Sequence, residues 1–158
     1  MARLKLLMSS RSPAATILVR VAVGAVFLSE GIQKFLYAES LGVGRFEKMG
    51  FDNAAFIAPL VGGFEILCGI LVLIGLLTRL AAVPLIAIMV VAIVTTKIPI
   101  LLGHDLWGFH VRELSRYGFW SMAHEMRTDF AMLLGAWFLL LVGGGRWSLD
   151  RIWTRERS

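Results

Sequence analysis

The chain has 158 residues, 58% of them hydrophobic and only 17% charged, with a formal net charge of +5; its mean hydropathy is +0.76. Soluble domains run about 45–50% apolar and about a quarter charged, and so short a chain could not cover this much apolar surface in water. A disordered chain, a disulfide-stapled secreted module and most soluble enzyme folds are excluded, and the excess apolar surface belongs in lipid.

Four hydrophobic runs come near the ~20 residues that a helix needs to cross a bilayer. The first runs from about Ala14 to Tyr37, with Pro13 suited to an opening helical turn. Arg20, Glu30 and Lys34 interrupt it and no small-residue cleavage site follows, so it reads as a retained span and not a signal peptide. Glu30 and Lys34 are four apart and share a helical face, close to the stripe of Arg20, Gly24, Phe27 and Gly31. Arg20 lies near the cytoplasmic boundary, where its side chain is expected to snorkel into the headgroups.

The connection 41–51 mixes Leu41, Val43, Phe46, Met49 and Phe51 with Arg45, Glu47 and Lys48. Such an amphipathic stretch lies in the headgroup plane or caps the mouth of a bundle. The second run, about Ala54 to Leu77, has Asp52-Asn53 as candidate N-caps and places Glu65 near its middle. Ala58, Gly62 and Gly69 fall on the Glu65 face, and small residues there let a neighbouring helix approach closely, so that face points inward. Cys68, the single cysteine, rules out an intramolecular disulfide or C-x-x-C pair and reads as a small buried residue. Gly75-Leu76-Leu77-Thr78-Arg79 is a turn tight enough to force antiparallel neighbours.

The third run, about Arg79 to Leu102, carries Lys97 at its outer end. The long connection 104–126 holds Trp107, Phe109, Tyr117, Phe119 and Trp120 among charges, together with His104, His110 and His124. A transmembrane haem needs axial histidines within the spans. His104, Asp105, His124 and Glu125 lack a recognised ligand spacing, so no metal site is assigned. The fourth run, about Thr128 to Gly145, has Arg127 and Asp129 at its outer end and closes on Gly143-Gly144-Gly145.

Together the runs predict an all-α, four-helix transmembrane bundle forming a single integral membrane domain over residues 1–158. The N-terminus, the turn after the second run and the C-terminus carry Arg3, Lys5, Arg11, Arg79, Arg146, Arg151, Arg155 and Arg157. This bias places both termini in the cytoplasm of a multi-pass inner-membrane protein. The basic residues form no contiguous patch, so nucleic acid is not a partner.

An ionisable side chain within a span costs several kcal/mol unless it is paired or hydrated. Threading the runs through a membrane brings Glu30, Lys34, Glu65, Lys97, Arg127 and Asp129 into the outer half of one bundle, with Lys97 expected to face Asp129. Their formal charges cancel, the condition on which buried charges are tolerated. The cluster is open to two readings: helix glue, or a polar pocket for a ligand head group or proton path.

Three stretches carry a family resemblance. Phe27-Leu28-Ser29-Glu30-Gly31-Ile32-Gln33-Lys34-Phe35 resembles the first helix of the DoxX family. The stretch Glu65 to Arg79 is similar to its second-helix signature, and Gly143-Gly144-Gly145-Arg146-Trp147-Ser148-Leu149-Asp150 to its closing motif. Glu30 and Lys97 stand where many members carry histidine, and Gly144 replaces a proline. The resemblance implies a four-helix membrane protein whose relatives include a small membrane subunit of a thiosulfate:quinone oxidoreductase and others associated with redox partners. The leading expectation is a membrane subunit of a redox system with no intrinsic cofactor, engaging a quinone or a protein partner through the polar cluster. Glu65 and Asp129 would then relay protons, and Lys34, Lys97 and Arg127 would hold them ionised or bind a quinone carbonyl. A non-catalytic scaffold that anchors a partner is the alternative, and a small transporter the third reading. Substrate, catalytic role and homo-oligomer formation stay open.

Overall fold

A computed structural model describes residues 14–155. Pro13, Arg3, Lys5, Arg11 and Arg157 lie outside the described residues. The first long helix, α1 (Thr16–Leu36), buries Thr16, Arg20, Val23, Gly24, Phe27 and Gly31, a spacing of three to four that marks one inward stripe. A short helix α2 (Val43–Lys48) follows, then α3 (Ala54–Ile74), which buries Ala58, Gly62, Glu65, Cys68 and Gly69 along the expected face. Asn53 precedes α3, but its side chain makes no capping hydrogen bond. The two helices meet through their glycines: a Cβ at Gly31 would come 2.7 Å from the Gly62 carbonyl oxygen, and one at Gly24 would come 2.9 Å from that of Gly69. No other residue lets two backbones approach so closely.

Gly75, at φ 71°, ends α3 in the left-handed conformation that glycine adopts without strain. The chain reverses at once into α4 (Thr78–Ala92), continued by a π-helical turn (Ile93–Lys97) and α5 (Ile98–Leu102) as one 25-residue rod. The π turn has a local cause. Pro99 has no N–H to give the Thr95 carbonyl and its ring presses on that turn, and the Ile98 N–H donates to Ile93 instead. Loop 103–118 carries a two-residue hairpin, Leu106 to Phe109 paired in both directions, with Trp107 and Gly108 at its tip. The last long helix, α6 (Phe119–Val142), begins nine residues before the expected Thr128, and a short α7 (Leu149–Arg155) follows the glycine run.

The fold is all-helical, with no β-strand among the described residues beyond one isolated bridge. Its core is Val23, Phe27, Cys68, Val72, Ala81, Ala82, Leu85, Met89, Ala136 and Leu139, drawn from α1, α3, α4 and α6. Outward-facing Leu18, Phe56, Leu67, Leu80 and Leu141 stay exposed, an apolar surface too broad for water and ordinary for lipid. Among the described residues three segments are long and apolar enough to cross a membrane: α1, α3 and the rod Thr78–Leu102. Helix α6 is as long, but its first half carries Glu125, Arg127 and Asp129.

Candidate functional site

The two ends of the molecule are built differently. At one end Arg20 ties the start of α1 and the end of α3 to the segment after α6, and Asp150 of α7 ties in the start of α4. The expectation that Arg20 snorkels is wrong: the residue is 2% exposed. Its guanidinium donates to the carbonyls of Val72 (2.9 Å), Gly144 (3.2 Å) and Trp147 (2.6 Å), and also to that of Leu73. The Val72 and Leu73 carbonyls belong to the last turn of α3, where the regular i+4 donors run out; Val72 also accepts from the Gly75 N–H at 3.2 Å. Asp150, also buried, accepts from the N–H groups of Leu77 (2.7 Å) and Thr78 (3.0 Å), capping the start of α4. Planar guanidinium geometry suits several carbonyls at once, and a snorkelling lysine would not. This end is closed.

The other end holds a cavity of about 570 Å³, within the usual 300–1,000 Å³ of ligand pockets. Phe27, Ile57, Val61, Ile88, Met89 and Met132 supply its apolar walls. Five of the six sequence-predicted residues meet here, four in the lining and one behind it. Lys34 Nζ lies 2.6 Å from Glu65 Oε2 and 3.9 Å from Glu30, so the i,i+4 pair on α1 and the mid-helix acid of α3 form one group. Glu65 is 2% exposed, whereas the Glu30 side chain is about half exposed. All three line the cavity, as does Asp129.

Lys97 is the fifth predicted residue. Its ammonium lies 3.1 Å from Asp129, the expected partner, but outside the cavity lining. The π turn sets that approach, and it also turns Thr95 and Thr96 into the cavity, their hydroxyls donating to Val91 (2.8 Å) and Ala92 (2.6 Å). A π bulge in a long helix often marks such a functional position. Arg127 does not join the group. It is exposed, and its guanidinium donates to the His124 ring at 2.7 Å. The α6 helix extends back to Phe119, so Arg127 and His124, three apart, share an exposed face turned away from Asp129.

Arg45 is the cation the sequence reading missed. It lines the cavity from α2, as Phe46 and Met49 do, because Phe46 is pinned over Ala54 and Ala58 of α3. The connection 41–51 therefore caps the mouth, one of the two roles its amphipathic pattern allowed. Loop 103–118 braces it: the His110 main-chain N–H donates to the Met49 carbonyl, and Phe51 packs between Phe46 and Phe109. In that loop His110 donates to Asp105 at 2.8 Å, and with the Val111 N–H it holds the Asp105 carboxyl below the usual carboxylate range. Glu125 faces Arg112 and His124 faces Arg127, while His104 Nδ1 meets the Asp105 main-chain carbonyl at 2.8 Å.

The geometry gives one direct test of the Lys97–Asp129 pair. Asp129→Leu alone should cost about 3 kcal/mol, because it strands Lys97 in low dielectric, whereas Lys97→Met with Asp129→Leu should return to within about 1 kcal/mol of the parent. Thermal melts in detergent measure both.

The DoxX family model matches residues 15–98, from the start of α1 to the first residue of α5. An uncharacterised membrane protein of Mycobacterium tuberculosis, Rv3486, is 54% identical over 145 residues, covering 92% of this chain and 85% of its own length. No solved structure matches. Fold, buried acid and family match agree: the chain is a membrane protein and belongs to the DoxX family.

Proposed function

We propose that the protein is a four-span bundle of the cell's inner membrane, both termini cytoplasmic, acting as the membrane subunit of a redox system whose lipid-soluble carrier, a quinone, occupies the cavity. The cavity itself carries this reading: a ligand-sized space with apolar walls and a polar end made by Lys34, Glu65, Glu30 and Asp129. A quinone needs that combination, a ring and tail in apolar surroundings and a few convergent polar groups at the head. Arginines at the Arg20 end support the orientation, since Arg79, Arg146 and Arg151 all fall there. Helix α6 counts as the fourth span because its charges stand at the open end, with Asp129 neutralised by Lys97.

The transporter reading is weaker. Between the polar cluster and the opposite end lie Val23, Cys68, Val72 and Leu85, all buried, and then the Arg20 knot. Solute would have to pass through packed core.

Native purification in mild detergent, followed by mass spectrometry of the extracted lipids and the co-purifying proteins, tests the proposal. A stoichiometric quinone that is lost in Glu65→Leu is the expected result. A soluble partner with no lipid-soluble ligand would favour a scaffold that anchors that partner.

A further inference from the structure

The polar end of the cavity is rich in acceptors. Glu30, Glu65 and Asp129 line it with carboxylates, each offering roughly four lone-pair sites. Against them stands Lys34, whose ammonium is already drawn to Glu65 at 2.6 Å and Glu30 at 3.9 Å. Glu65 Oε2 is sealed from solvent and taken up by Lys34, so that ammonium is committed to the cluster itself. Thr95 and Thr96 give their hydroxyl hydrogens to main-chain carbonyls and keep only oxygen lone pairs for the cavity. Asp129 is matched by Lys97 from behind the wall, and Arg45 sits exposed at the rim, where water satisfies it. What this end lacks is a donor that also tolerates apolar walls.

We infer that the cavity selects an apolar molecule whose head group donates hydrogen bonds, a phenolic or alcoholic hydroxyl, over the same molecule with an acceptor-only head. The inference rests on the cavity being a ligand site and deepens that reading. For a quinone couple, the reduced form with its two hydroxyls is held more tightly than the oxidised form.

A matched pair of probes tests this without any redox chemistry: a 4-alkylphenol and its methyl ether, which differ only in the donor. Binding is measured to the full chain in nanodiscs and corrected for partition into protein-free discs. The phenol should bind about tenfold or more tightly than the ether, the scale of one hydrogen bond to a charged acceptor. Glu65→Gln should bring that ratio down severalfold, since an amide presents a donor of its own. Glu30→Gln, at a half-exposed position whose loss leaves the Lys34–Glu65 pair intact, should lower it to a smaller extent and reports even if the Glu65 variant does not fold. Equal binding of phenol and ether, or a preference for the ether, overturns the selection by donor while leaving the cavity a ligand site. Absence of binding by either probe overturns both. Should the phenol preference hold in a protein that carries no quinone, the donor rule stands and the quinone reading falls.

Discussion

Arg20→Leu is expected to unfold the protein in detergent under conditions that leave Arg116→Leu intact. The guanidinium satisfies carbonyls on both sides of the closed end, those of Val72 and Leu73 on α3 and those of Gly144 and Trp147 beyond α6. Leucine supplies none of these donors and leaves Asp150 buried without the nearby positive charge. Losing one member of a buried charged network costs about 3–5 kcal/mol. Arg20→Lys should recover only a minor part, because one ammonium cannot fan across four carbonyls. Arg116 is exposed, and its loss should stay within about 0.5 kcal/mol. If Arg20→Leu and Arg116→Leu melt alike, the knot contributes nothing to stability.

Glu65→Leu should have a comparable effect at the open end. It strands the Lys34 ammonium, whose side chain is 11% exposed, beside a leucine, with only the more distant Glu30 left at 3.9 Å. About 3–5 kcal/mol is again the scale for an uncompensated buried charge. Glu65→Gln should lose much less, about 1–2 kcal/mol, because the amide oxygen still accepts from Lys34. The order Leu worse than Gln, read from detergent melts and from the fraction that elutes as a single species, is the decisive result. Equal melting of both with the parent would mean that Glu65 and Lys34 are not coupled.

How far these sites were readable from sequence depended on the range of the interaction. Glu30 and Lys34 are one helical turn apart, and the small-residue stripe around Glu65 declares its inward face, so local periodicity suffices to bring the three together. Lys97 and Asp129 followed from membrane depth: two charges at the same ends of neighbouring helices have few other places to go. Arg20 was misread because its partners are main-chain carbonyls 52 to 127 residues away, and a carbonyl carries no side-chain signature. Arg127 was misread because the start of α6 was set by where hydrophobicity rises, at Thr128. The helix in fact runs back to Phe119 through polar residues, and that sets which face Arg127 occupies. Arg45 was overlooked for the opposite reason: its loop position gave no hint that Phe46 would pin α2 over the mouth. Pro99 was in plain view, but nothing in the hydropathy pattern shows that its missing N–H resolves into a π turn and not a kink.

The Arg20 knot also sets an order for the protein's making. Arg20 emerges from the ribosome early, whereas the carbonyls of Gly144 and Trp147 are translated 124 and 127 residues later. At roughly 5–20 residues per second, that delay is on the order of ten seconds. During it the first helix and α3 can pair through Val72 and Leu73, but half of the guanidinium's donors have no destination. The N-terminus of α4 waits over the same interval for Asp150. A nascent chain stalled after its third hydrophobic helix therefore displays an unsated buried arginine and an uncapped helix. Both are features that a membrane quality-control protease could distinguish from the finished molecule.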